Sequence, residues 1–107
     1  MVKKYNKLVR DNIPSIIEAS GAECTCRILS DAEYIEMLDK KLDEELLEYH
    51  TDKSLEELAD LIEVVRAVTI ARGYTLDELE AVRAKKAHER GAFKNKILLI
   101  ETVRHGG

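Results

Sequence analysis

A chain of 107 residues is the length of one domain, 1–107, with room for a modest core. With 36% charged residues, a net charge of −4 and no tryptophan, it reads as a soluble helical protein rather than a general nucleic-acid or membrane binder. No apolar run approaches the ~20 residues that span a bilayer, no signal peptide opens the chain, and a cytoplasmic location is expected.

Met1 to Val9 is basic and irregular. Asp11 is placed to cap a short helix opening near Ile13-Pro14, since proline suits a first turn. That helix turns Ile13, Ile16 and Ile17 inward and ends at Gly21. Lys7 and Arg10 flank it, either as solubilising surface charge or as an arm contacting phosphate or base. Glu23 to Leu29 reads as a strand, with Cys24, Cys26 and Ile28 alternating against Thr25 and Arg27. The two cysteines lack the partners of a zinc site. They read as reduced, buried small hydrophobes, with a redox role as the lesser alternative.

Ser30 with Glu33 three residues on is a capping box, and the helix it opens runs to about Tyr49. His50 to Lys53 then connects to a helix that starts at Ser54 and ends near Gly73. So short a link forces an antiparallel hairpin. Thr75 with Glu78 opens a fourth helix, closed by Gly91. Lys96 to Val103, with Ile97, Leu98, Leu99 and Ile100 in a row, is β-compatible and predicts pairing with 23–29 as a small two-stranded sheet. Two strands alone are marginal, so they must pack on the helices or on another subunit. His105 to Gly107 closes the chain as a loose tail. The fold expected is mainly α: a helical hairpin or bundle of about four helices with a small β element, completed by oligomerisation.

The hairpin holds two carboxylate pairs at i, i+3 spacing, Glu45/Glu48 and Glu57/Asp60. Each pair lies within roughly 10 Å of the connecting turn at about 1.5 Å rise per residue, so the pairs are level. At 100° per residue, Leu61, Val64, Val65 and Val68 form one apolar arc. Glu57 projects into its middle and Asp60 onto its edge, while Glu56 and Glu63 project to the polar side. On the preceding helix Tyr34, Leu38, Leu42 and Tyr49 mark the inner face. Glu45 lies among them, Glu48 on the flank, and Glu44 points away. Lys41, one turn before Glu45, is placed to pair with it.

Like charges ~5 Å apart repel by roughly 3 kcal/mol at an effective dielectric near 20, so such a cluster stays ionised only if cations neutralise it. All-oxygen donors favour Mg²⁺, or Mn²⁺, over Zn²⁺. An arbitrary E-x-x-E is better read as a solvated charged face. Inward projection of all four, level across one hairpin, reverses that preference. On the fourth helix Leu79, Arg83, Lys86 and Arg90 share one face. Favourable placement of cations near a helix C-terminus explains them alone. Beside an acidic metal cluster the stripe gains a second meaning, because metals plus Lys and Arg are what a polyphosphate needs. Lys86 and Arg90 stand ahead of Arg83 and Lys85. No phosphate-loop motif is present, and His50, His88 and His105 lie far apart with no Ser or Cys in a triad relation.

The pattern E45-x-x-E48 followed by E57-x-x-D60 resembles the signature of the all-α nucleoside triphosphate pyrophosphohydrolases, the MazG-like superfamily. Y5-N-K-L-V-R-D-N-I-P14 looks like the opening of its small phosphoribosyl-ATP pyrophosphohydrolase-like branch. E57-L-A-D-L-I-E-V-V65 and K86-A-H-E-R-G-A-F93 are similar to later segments of that branch. Arg90-Gly91-Ala92-Phe93 departs slightly from the R-G-G-F common there. The resemblance implies Mg²⁺-dependent cleavage of a nucleoside triphosphate to monophosphate and pyrophosphate, of the house-cleaning type. It implies Glu45, Glu48, Glu57 and Asp60 as metal ligands and catalytic residues, and Lys86 and Arg90 as phosphate contacts. Lys41, Arg83, Lys7 and Arg10 are further candidates for the phosphates, and Glu44 or an unsaturated carboxylate for the proton of the attacking water. A homodimer or homotetramer is implied, with no nucleic-acid polymer or membrane as partner. Three alternatives stand beside this one: the phosphoribosyl-ATP pyrophosphohydrolase of histidine synthesis, a non-catalytic, metal-stabilised helical binding or regulatory module, and a plain structural bundle whose carboxylates face solvent.

Overall fold

The computed structural model describes residues 1–106; Gly107 lies outside the described residues. Four helices follow one another: α1 (Ile13–Ala19), α2 (Asp31–Asp52), α3 (Leu55–Ala71) and α4 (Leu76–Arg90). The chain divides into two units, Met1–Leu76 and the remainder from Asp77.

Local chemistry sets most of the boundaries. Pro14 sits in the first turn of α1, where its missing N–H costs nothing. Asn12, not Asp11, occupies the cap position, and it makes no side-chain capping bond. Ile13 and Ile17 are half-buried but Ile16 is exposed, so α1 covers a narrower stripe than its three isoleucines predict. At α2 the capping box is complete. Ser30 Oγ accepts from the Glu33 N–H at 3.2 Å, and the Glu33 carboxylate accepts from the Ser30 N–H at 3.2 Å. Arg27 adds a two-pronged bond to the same carboxylate, at 3.2 and 2.7 Å. Together they hold Glu33 down to about 2, with the Arg27 bond the largest cause and the Ser30 N–H next.

α2 does not stop near Tyr49. It continues through Asp52, with Thr51 Oγ bonded back to the Leu47 carbonyl at 3.0 Å. Lys53 then turns the chain in the left-handed region (φ 49), its N–H closing on the Tyr49 carbonyl at 2.7 Å. Ser54 at once caps α3, accepting from the Glu57 N–H at 3.3 Å. The link is thus tighter than His50–Lys53. α3 ends before Gly73, whose φ of 91 suits a residue without a Cβ.

Within Met1–Leu76 the packing pair is α2 on α3. Leu38 and Val64 are its buried apolar side chains, and Thr69 is buried with its hydroxyl bonded to the Val65 carbonyl at 2.8 Å. Tyr34, Leu42 and Tyr49 on α2, and Leu61 and Val68 on α3, border them half-buried, as the helical period predicts. Val65 is exposed and leaves the arc assigned to it.

No strand forms among the described residues, so the expected sheet of 23–29 with 96–103 is not seen. A strand needs a neighbour for its N–H and C=O groups. The row Ile97–Ile100 would also show apolar side chains on both faces of an extended chain, and these four are 74–86% exposed. The cysteines depart from expectation too: Cys26 is exposed and Cys24 only half-buried, because no ladder packs their side of the segment inward.

Candidate functional site

The α2–α3 hairpin brings carboxylates together where its period predicts them. Glu45, on α2, is buried; Glu57 and Asp60, on α3, are half-buried. One carboxylate oxygen from each lies within 4.8 Å of the other two. Helical spacing places Asp60 one turn beyond Glu57, and the antiparallel pairing sets Glu45 opposite both. Glu48 lies outside this trio and is exposed, a rim position rather than an equal fourth member. Its charge still reaches the site. Burial pushes the Glu57 carboxyl above its ordinary range, and the charges of Glu48, Asp60, Asp52 and Glu45 push the same way. A carboxyl raised by its neighbours is one whose ionised form lacks enough positive charge beside it.

Ser54 leaves the Glu57 side chain to the site. Unlike Ser30, it makes only the forward half of a capping box, so the Glu57 carboxylate is not turned back onto the helix end.

Protein cations reach two of the trio, Glu45 and Asp60, and Glu44 beside them. Lys41 reaches Glu45 and Glu44, each at 3.4 Å, with little of its side chain exposed. Glu44 does not point away into solvent. It is half-buried and accepts a bond from Lys7 at 3.0 Å. Burial alone would raise it, but the Lys7 and Lys41 bonds prevail and its pKa falls; the same contact raises Lys7. Arg10 places Nη2 2.6 Å from Asp60 Oδ1. The N-terminal segment therefore lays two cations along the acidic hairpin. Sequence reasoning offered Lys7 and Arg10 to phosphate or base. It missed that they engage carboxylates, and 50 residues separate Arg10 from Asp60 with no local pattern to signal the pair.

The basic stripe lies on α4, in the unit from Asp77. Arg83 is engaged one turn back, its Nε 2.8 Å from Glu80. Lys85 approaches Glu89 at 3.9 Å. Lys86 and Arg90 are exposed, and Arg90 borders a hollow of about 440 Å³ formed by residues 90–97.

The three acidic residues, Glu45 buried and Glu57 and Asp60 half-buried, offer hard oxygen donors of the kind Mg²⁺ or Mn²⁺ takes. No helix among the described residues is long and apolar enough to cross a membrane. No family model matches the chain, and no solved structure matches it. An uncharacterized protein of Mycolicibacterium smegmatis is 57% identical over 42 residues, a match that takes in 39% of this chain. The chain covers 43% of that relative's length.

Proposed function

We propose that the protein is a Mg²⁺-dependent nucleoside triphosphate pyrophosphohydrolase of the MazG-like type, releasing pyrophosphate from an NTP or dNTP. The observation that carries this reading is the meeting of Glu45, Glu57 and Asp60 oxygens within 4.8 Å across one hairpin. The motif resemblance runs from Tyr5 to Phe93 and centres on the same residues.

Glu45, Glu57 and Asp60, with Glu48 at the rim, would hold Mg²⁺ or Mn²⁺, which supplies a Lewis acid for phosphate oxygens and makes water more acidic. Lys41 fixes the Glu45 carboxylate. Glu44, held ionised by Lys7 and Lys41, is an acceptor for the proton of an attacking water. Lys7 and Arg10 are the cations on the acidic hairpin and offset triphosphate charge. The resemblance carries Lys86 and Arg90 as phosphate contacts, with Arg83 a further candidate on the same helix. The working unit is a homodimer or homotetramer.

The test is pyrophosphate release from a panel of canonical and modified nucleoside triphosphates in Mg²⁺. Turnover that is lost in Glu57→Gln, with helicity retained, is the expected result. Turnover restricted to phosphoribosyl-ATP would move the protein to histidine synthesis. No release from any substrate, with thermal stabilisation by Mg²⁺ but not Na⁺, would leave a metal-stabilised binding module.

A further inference from the structure

Cys24 and Cys26 take no part in the site above. Their sulfurs are 4.0 Å apart, in a segment that belongs to neither helix nor strand. Cys24 is half-buried against α1, its Sγ 3.9 Å from the Pro14 carbonyl and 3.8 Å from a Glu18 carboxylate oxygen. Cys26 is exposed. We propose that these two thiols are a reversible redox site, oxidised by a hydroperoxide to an intrachain Cys24–Cys26 disulfide.

The environments assign the roles. Burial pushes the Cys24 thiol up, and Cys26 and the Glu18 carboxylate push it further, so Cys24 resists becoming a thiolate. Cys26, open to solvent, is the sulfur a small oxidant reaches first. Its thiolate attacks one peroxide oxygen. The O–O bond breaks, the alcohol or water leaves with a proton, and Cys26 becomes a sulfenic acid. Cys24 sulfur then attacks Cys26 sulfur. The S–O bond breaks, and hydroxide leaves with the Cys24 proton as water. Two thiols and one hydroperoxide give one disulfide, one alcohol and one water, with two electrons passing to the peroxide.

Closure from 4.0 Å needs only a local bend, because no ladder hydrogen bonds hold residues 22–30. Residues two apart span at most ~7 Å when extended, at the upper edge of what a disulfide bridges. With Cys26 exposed, the bond lies open to reductant, which suits a reversible site rather than a structural staple.

The experiment treats the reduced full chain with one equivalent of hydrogen peroxide. The expected product is a monomer on a denaturing, non-reducing gel, lighter by ~2 Da, with both thiols closed to iodoacetamide and both restored by dithiothreitol. Cys24→Ser traps a sulfenic acid on Cys26, seen as a dimedone adduct, and Cys26→Ser leaves Cys24 about tenfold slower to oxidise. Retained alkylation of both cysteines, an interchain disulfide, or oxygen added to either sulfur of the unsubstituted chain would overturn the site. Equal rates in the two variants would overturn the assigned order of attack. None of these readouts depends on nucleotide or divalent cation.

Discussion

Arg10 shows how the acidic trio manages its own charge. Its guanidinium stands 2.6 Å from Asp60, on the donor set that the proposed divalent cation would use. Exposed pairs of this kind are individually weak, so under the proposed function Arg10 would compete with the ion without blocking it. Arg10→Met is expected to tighten Mg²⁺ binding by about threefold in calorimetry. Lys7→Met, which frees only Glu44, should change it less. An unchanged affinity in Arg10→Met would remove Arg10 from the competition. Glu57 presents the opposite case, a carboxyl raised by burial and by four acidic neighbours. Glu57→Gln should therefore unfold at a higher temperature than the parent chain in chelator, while pyrophosphate release falls by about 100-fold or more. A lower melting temperature under those conditions would mean that repulsion at Glu57 is not what the fold carries.

At the scale of elements, the start of α2 is the most fully specified feature. Ser30, Glu33 and Arg27 form one connected set, and Ser30→Ala should cost about 1 kcal/mol in urea denaturation. The sign of its pH dependence follows from a depressed carboxyl. The Glu33 contribution is whole above the ordinary carboxylate range and is lost as pH falls from there to about 2. Glu33→Gln should flatten the acid limb of stability in that window, and an acid limb identical to the parent's would contradict the assignment. The Ser30–Glu33 box was legible in the sequence because its partners are three residues apart, whereas Arg27, six residues before Glu33, was not read as part of it. The glycines after α1, α3 and α4 were legible for the same reason: a positive φ is a local demand. Glu45, Glu57 and Asp60 were legible through the helical period, which fixes direction without knowledge of the partner helix. What depends on a distant or external partner was not. The 96–103 segment reads as a strand by composition but finds no ladder, and the inward cysteines presumed a sheet to cover them. The end of α2 was missed because His50, Thr51 and Asp52 carry no apolar period, and a side-chain bond from Thr51 extends the helix instead.

For the whole molecule, the balance of covered and uncovered apolar surface decides what comes next. Among the described residues only Leu38 and Val64 of the large aliphatic side chains are buried, whereas Leu47, Leu55, Ile62 and Ile70 on the hairpin and Ile97–Ile100 in the second unit are exposed. Each such side chain is worth about 1.5–3 kcal/mol when fully buried, so each unit by itself leaves apolar surface that association would cover. A helix that is apolar on two sides, as α3 is with Val64 inward and Ile62 outward, buries both only between two neighbours. One of these is α2 of its own chain. A second copy of the chain supplies the other in the proposed dimer. Light scattering after gel filtration should return twice or four times the chain mass, and the melting temperature should rise with protein concentration. Ile62→Glu places a charge on the outward face without touching Leu38 or Val64. It should give a monomer with helical content retained and a melting temperature that no longer depends on concentration. A parent chain that runs as a monomer, equally stable at low and high concentration, would refute the association.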